Sequence, residues 1–259
     1  MTTAHPYYHS VGKEIEVFEQ AYQNKIPFLL KGPTGTGKSR FIEFMAHRLN
    51  KNLITISCHE ETSSTDLIGR FIIKGAETVW LDGPLTRAVK EGAIIYLDEI
   101  AEARPDVIVS IHSLTDHRRE LYIDKLGETV KAHEHFMLTA SFNPGYQRGF
   151  KELKPSTRQR FIATSFTYPE AAIETEILMN ETQIDAADAK RLVNIGNKIR
   201  NLTELGLSET VSTRLLVDAA KLIHSGLAKR LAVKVAVVEP LTDDTETVAA
   251  LTDLCNLMI

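Results

Sequence analysis

Cysteine is scarce: Cys58 and Cys255 are the only two in 259 residues, and neither has a partner at metal-ligand spacing. A disulfide-stapled scaffold is excluded, and a reducing compartment, the cytosol, is the expected setting. Long apolar runs are also lacking. A membrane-crossing helix needs roughly 18 to 20 such residues, so no span is expected. The segment Met1 to Ser10 holds histidine, proline and tyrosine but no basic start followed by an apolar stretch, and does not read as a secretory signal. Positive charge is not in excess: the net charge is −4, the pI is near 6.2, and the lysines and arginines are dispersed. Nucleic acid is not an expected partner, because that affinity comes mainly from phosphate neutralisation. Proteins are. A zinc motif is missing too, since His59-Glu60-Glu61 has no second histidine four residues after the first. His133 and His135 would share one face of a strand. With no cysteine or carboxylate at matching spacing, they and His112 and His117 read as surface or capping residues.

What the chain does carry is a glycine-rich loop in a specific context. Gly32, Pro33, Thr34, Gly35, Thr36, Gly37, Lys38 and Ser39 spell GxxxxGKS between an apolar strand-like run, Pro27 to Lys31, and an amphipathic helix-like run, Ser39 to Asn50. Glycines let the backbone N–H groups turn inward around a β-phosphate, Lys38 brings positive charge to the β- and γ-phosphates, and Ser39 offers a hydroxyl to Mg²⁺. A nucleoside triphosphate is the expected ligand. Downstream, Ala93 to Leu97 is a continuous apolar run ending in Asp98 and Glu99, as expected of a parallel strand buried on both faces. Ligands sit at the C-terminal ends of such strands. Asp98 there would hold Mg²⁺, and Glu99 would orient and deprotonate the attacking water. A third buried-looking strand, His135 to Phe142, ends at Asn143-Pro144, where an amide can position water without adding charge. Arg158 and Arg160 then stand just before a fourth apolar segment, Phe161 to Phe166, where an arginine finger is needed.

These residues resemble the AAA+ ATPases of the MoxR group and, within it, the CbbQ/NorQ branch. The resemblance covers nearly the whole chain and rests on GPTGTGKS, on DLIGR followed by WLDGPLTRAVKEG, on YLDEI, on SFNPGYQ and on LKPSTRQRF. It implies that Lys38 and Ser39 are Walker A residues, Asp98 and Glu99 Walker B, and Asn143 sensor 1. Arg158 and Arg160 are both finger candidates acting on a neighbouring subunit's nucleotide. Arg214, in Val211-Ser212-Thr213-Arg214, matches the sensor 2 position.

The remaining pattern is a βα alternation followed by helices, and 259 residues at 43% hydrophobic content suffice for one large core plus a smaller one. Expected elements are a leading helix over Val11 to Asn24, a strand over Leu53 to Ser57, and helices over Ser64 to Gly69, Pro84 to Glu91 and Pro105 to Asp116. The fold class is α/β, a P-loop AAA+ core whose parallel sheet is covered by helices on both faces. Residues 1–168 form that domain, with hairpins inserted near 70–81 and 119–131. Residues 169–259 form an all-helical lid, with helices over Glu170 to Thr182, Asp185 to Leu205, Glu209 to Ser225 and Asp243 to Met258, and breaks near Gly206 and Gly226. The resemblance further implies that both hairpins face the central pore of a hexameric ring and that the cofactors are ATP and Mg²⁺. It implies a partner bearing a von Willebrand factor A domain and a metalloenzyme client. Rubisco, freed of inhibitory sugar phosphates, is favoured, with metal insertion into nitric oxide reductase as the alternative. A nucleotide-gated scaffold with little turnover is a different class of reading; a small-molecule P-loop kinase would need an acceptor pocket that Asp98, Glu99 and the sensor residues argue against.

Overall fold

The computed structural model describes residues 6–144, 153–202, 207 and 209–259. The Gly145-Tyr146-Gln147 end of the SFNPGYQ segment, the last residues of the helix expected to reach Leu205, and the break expected at Gly206 lie outside the described residues. The chain folds as two compact units. One comprises Gly12–Gly32 and Lys38–Phe166; the other comprises Tyr7–Val11, Pro33–Gly37 and Thr167–Ile259.

The first unit follows the βα alternation. Helix α1 (Glu14–Gln23) precedes β1 (Phe28–Lys31), which leads to α2 (Lys38–Arg48) and β2 (Leu53–Ser57). Then come α3 (Ser64–Ile68), β3 (Gly69–Lys74), β4 (Glu77–Asp82), α4 (Pro84–Glu91) and β5 (Ile94–Asp98). After α5 (Pro105–Ser110), strands β6 (Glu120–Ile123), β7 (Glu128–Lys131) and β8 (Met137–Phe142) follow, and α6 (Pro155–Arg158) and β9 (Ile162–Ser165) complete the unit. The five-stranded sheet has the order β2-β5-β8-β1-β9, and each pairing in it is parallel. Its central strands read as apolar runs because both faces are covered: every residue of β8 and all of β5 but Asp98 is buried. Phe18 of α1, Phe28 of β1 and Phe41 of α2 meet with ring centroids 5.0 and 5.5 Å apart, and Phe166 lies 5.4 Å from Phe41. These aromatic contacts, the first two edge-on, tie α1 and α2 to β1, the strand before the loop.

The hairpins are there, β3 with β4 and β6 with β7, each an isolated antiparallel pair. Two expectations change. The helix expected over Pro105 to Asp116 ends at Ser110, and a separate 3₁₀ turn covers His112–Leu114. Ser110 Oγ bonds back to Val107 O and Thr115 Oγ1 to His112 O, so hydroxyls compete with the helical ladder. His133 and His135 sit not on a strand but in the turn before β8: His135 N donates to His133 Nδ1 at 3.1 Å and Phe136 N to His133 O at 3.0 Å. One imidazole therefore caps the turn that starts the strand.

The second unit is helical in its Thr167–Ile259 part. It contains α7 (Ala171–Thr182), α8 (Ala186–Arg200), α9 (Thr213–His224), α10 (Lys229–Val233) and α11 (Thr245–Met258). Side-chain caps fix three starts: Asp185 accepts from Ala187 N and Asp188 N, Ser212 from Leu215 N, and Asp244 from Thr247 N. The cap at Ser212 is why α9 begins four residues later than the Glu209 start expected from periodicity. Leu178, Leu192, Ile195, Leu216, Val237 and Leu251 form its core. Between α10 and α11 the chain winds into a π-helical turn, Lys234–Val238, and a 3₁₀ turn, Glu239–Leu241, which periodicity does not anticipate.

Candidate functional site

In the first unit the end of β1 releases the chain into the loop. Gly32 has φ 154°, and a Cβ built there would lie 2.2 Å from Phe166 O, so only glycine lets the two backbones approach. Lys38 opens α2 and is buried; its ammonium donates to Gly32 O at 2.6 Å, folding the side chain back over the loop's first carbonyl. Ser39 follows on the first turn. Its hydroxyl lies 3.4 Å from Asp98 Oδ2 and 3.3 Å from the Tyr96 hydroxyl.

Asp98 ends β5, half-buried, and collects hydroxyls. Tyr96 Oη donates to Oδ1 at 2.7 Å and Ser141 Oγ donates to the same oxygen at 2.5 Å. Ser141 Oγ in turn accepts the Glu99 N–H at 3.0 Å, so β5 and β8 are tied at their C-terminal ends by side chains as well as by their ladder. Glu99 itself is exposed and holds a left-handed backbone, φ 53° and ψ 47°. Asn143 lies two residues beyond Ser141 just past β8, half-buried. Burial and then the charge of Asp98 push the Tyr96 phenol well above its ordinary range, so it stays a donor. The sequence thus brings Lys38, Ser39, Asp98 and Glu99 to the C-terminal end of the sheet's interior strands β1 and β5.

The finger candidates stand differently. Arg158 ends α6 and is exposed. Arg160 is half-buried, with Nη1 3.9 Å from Asp116 Oδ2. That carboxylate is gripped by Arg118 at 2.7 Å, whose hydrogen bonds are the main reason its pKa falls to about 2.

In the second unit the middle of the loop, Pro33–Gly37, has partners of its own. Thr34 Oγ1 donates to Glu209 Oε1 at 3.1 Å, Thr34 O accepts from the Tyr168 hydroxyl at 3.2 Å, and Thr36 Oγ1 closes the turn on Pro33 O at 2.9 Å. Gly35 has φ 72°, and an added Cβ would lie 2.5 Å from Ser212 Cβ, the cap of α9. Arg214 is exposed on the first turn of that helix, its Cβ 3.5 Å from the same point. Behind it lies a buried pair: Arg200 donates to both oxygens of Glu174 at 2.7 Å and to Val211 O at 2.8 Å, and stacks 4.3 Å over the Tyr168 ring. Thr213 Oγ1 adds a 2.6 Å bond to Glu174.

Glu209 and the Arg200–Glu174 pair lie outside the motifs, and Tyr96 and Ser141 lie inside YLDEI and SFNPGYQ but had no role assigned to them. Tyr96 leaves one trace in the sequence, a hydroxyl inside a strand otherwise wholly apolar and two residues before a carboxylate. Ser141 leaves a weaker trace, since β8 carries a second hydroxyl at Thr139 and the residue two places on, Asn143, is an amide. The donor set suits magnesium, which takes one or two protein oxygens and fills its octahedron with phosphate and water. Ser39 and Asp98 are hard oxygens, and Lys38 beside them suits phosphate. No group of three or more His, Cys, Asp or Glu able to hold a metal occurs among the described residues.

Two family models match this chain. Residues 27–161 match the AAA domain of the dynein-related subfamily, and residues 174–258 match the CbbQ/NirQ/NorQ C-terminal family. The chain is 53% identical to protein CbbQ of Hydrogenophilus thermoluteolus, over 95% of this chain and 92% of that one. It is 52% identical to the denitrification regulatory protein NirQ of Pseudomonas aeruginosa over the full length of both, and 54% identical to protein NorQ of Paracoccus denitrificans over 96% and 92%. Among solved structures a RuvB variant of Thermotoga maritima shares the fold at a TM-score of 0.59 and 16% identity, covering 95% of this chain and 69% of that one. The chain belongs to the CbbQ/NirQ/NorQ family of AAA ATPases.

Proposed function

We propose that this chain hydrolyses ATP with Mg²⁺ and uses the cycle to remodel a protein client. The observation that carries the reading is the meeting of Ser39 Oγ with the Asp98 carboxylate directly after a complete phosphate loop. Loop N–H groups and Lys38 bind the β- and γ-phosphates. Ser39 and Asp98 would hold magnesium, which when bound would supply charge neutralisation on the phosphate oxygens. Glu99 takes a proton from the attacking water, and Asn143 orients that water. Arg158 or Arg160 of a neighbouring protomer stabilises charge on the γ-phosphoryl group, an effect worth roughly 10³ to 10⁵ in rate when supplied in trans. Arg214 reports the nucleotide state to a lid formed by residues 169–259, against a nucleotide-binding domain of residues 1–168. The assembly is a hexameric ring in the cytoplasm, working with a von Willebrand factor A domain partner.

Rubisco, released from inhibitory sugar phosphates, is the proposed client. The similarity to CbbQ at 53%, NirQ at 52% and NorQ at 54% supports a second reading equally, a nitric oxide reductase into which metal is inserted. Phosphate release is measured alone, with the partner and inhibited Rubisco, and with the partner and metal-free reductase; stimulation identifies the client. Lys38→Ala is expected to lose nucleotide binding, whereas Glu99→Gln keeps it and loses roughly 10² to 10⁴ in turnover. Negligible release by both the unaltered protein and Glu99→Gln contradicts hydrolysis and favours a nucleotide-gated scaffold.

A further inference from the structure

Strand β5 carries a hydroxyl that the phosphate-loop motif does not require. Tyr96 lies two residues before Asp98, so strand alternation sets both side chains on one face, and it is only 1% exposed. A phenol buried this deeply needs a partner for its O–H. Asp98 Oδ1, at 2.7 Å, is that partner, and with Ser141 Oγ at 2.5 Å it has two donors on one oxygen. Oδ2 faces Ser39 Oγ at 3.4 Å.

Counting protons narrows the remaining directions. Tyr96 has one, and it goes to Asp98. The 3.3 Å contact between Tyr96 Oη and Ser39 Oγ is then a hydrogen bond only with Ser39 as donor, and the one Ser39 proton has two acceptors in reach, Tyr96 Oη and Asp98 Oδ2 at 3.4 Å. A serine that gives its proton to a phenol oxygen keeps both lone pairs for an electrophile. A carboxylate whose Oδ1 is already satisfied by two hydroxyls presents Oδ2.

We infer that Tyr96 is a positioning residue for the divalent cation: its hydroxyl donates to Asp98 Oδ1 and its oxygen offers the Ser39 proton an acceptor other than Asp98 Oδ2, so that Ser39 Oγ and Asp98 Oδ2 are the oxygens that can turn to a metal. This rests on the nucleotide-binding reading above. It goes beyond that reading because the loop motif assigns the cation to Ser39 and Asp98 alone. Partners that orient a metal's ligands typically matter by roughly 10- to 100-fold in metal affinity or activity.

The test is binding of a fluorescent ATP analogue to the full chain and to Tyr96→Phe, in EDTA and across a magnesium titration. The replacement removes one oxygen and keeps the ring. The expected result is equal affinity in EDTA and a magnesium half-saturation raised at least tenfold, with the spectrum of bound Mn²⁺ altered. Tyr96→Phe that is folded and has an unchanged magnesium half-saturation overturns the assignment, as does a loss of affinity that is already complete in EDTA. Should Tyr96→Phe not fold, Ser141→Ala removes the other Oδ1 donor: a raised magnesium requirement upholds the hydroxyl cluster as the device that aims Asp98, and an unchanged one overturns it. If the unaltered protein binds the analogue without any response to magnesium, the nucleotide-site reading itself fails and the inference with it. If it responds and Tyr96→Phe responds identically, only the role of Tyr96 fails.

Discussion

Glu99 has a left-handed backbone, φ 53°, and a non-glycine residue there is strained by something like 1 to 3 kcal/mol. The bond from its N–H to Ser141 Oγ at the end of the neighbouring strand helps to hold it. The chain therefore leaves β5 in a sharp turn immediately after Asp98, and successive carboxylates diverge from strand alternation. Two cysteines give a pH-dependent check on the packing near this turn and in the helical unit. Burial, reinforced by the charges of Asp98 and Glu99, pushes the Cys58 thiol from 9.0 to about 12, and burial alone pushes Cys255 to about 11. A thiol whose folded pKa is raised contributes stability that is complete below pH 9 and lost as pH climbs from there toward 11 and 12. Neither thiol should react with an aromatic disulfide at pH 8 until the protein is unfolded, and denaturant stability should fall across pH 9 to 11. Rapid labelling of both thiols in the native protein would contradict the burial.

Helices α7, α8 and α9 are joined by charge as well as by apolar packing. Glu174 is fully buried and Arg200 is 10% exposed, and breaking such a pair from one side leaves a charge without compensation. Glu174→Gln is expected to cost about 3 to 5 kcal/mol, read as a lower melting temperature. A melt within a degree of the unaltered protein's would contradict this. The β3–β4 hairpin is the opposite case. Ile73 is 81% exposed, so Ile73→Ser should change stability by less than about 0.5 kcal/mol in the same melt; a larger loss would mean that the hairpin packs against something. Most of these elements are legible from the residues alone. Strands β5 and β8 announce themselves as apolar runs because both faces are covered, and the loop by glycines whose φ values only glycine takes readily. Less is legible where structure comes from distant partners. The Arg200–Glu174 pair joins residues 26 apart with no motif to mark it. The turns over Lys234–Leu241 follow neither helical nor strand periodicity, and Tyr96 shows only as one hydroxyl within an apolar run.

Across the molecule, the protomer supplies the phosphate loop, the hydroxyl cluster and the carboxylates, and Arg160 is engaged with Asp116. On the proposed mechanism the stabilising arginine comes from a neighbour, so turnover belongs to the assembly. Mixing Glu99→Gln with Arg160→Ala protomers should then give activity that departs from the sum of the parents, and the same mixture with Arg158→Ala tells which arginine acts. The most direct check is phosphate release per protomer as the protein is diluted through its association range, with mass followed in the same samples. The mechanism predicts that turnover falls with the assembled fraction, toward a residual rate lower by roughly 10³ or more. Monomers that hydrolyse ATP at the undiminished rate would contradict it.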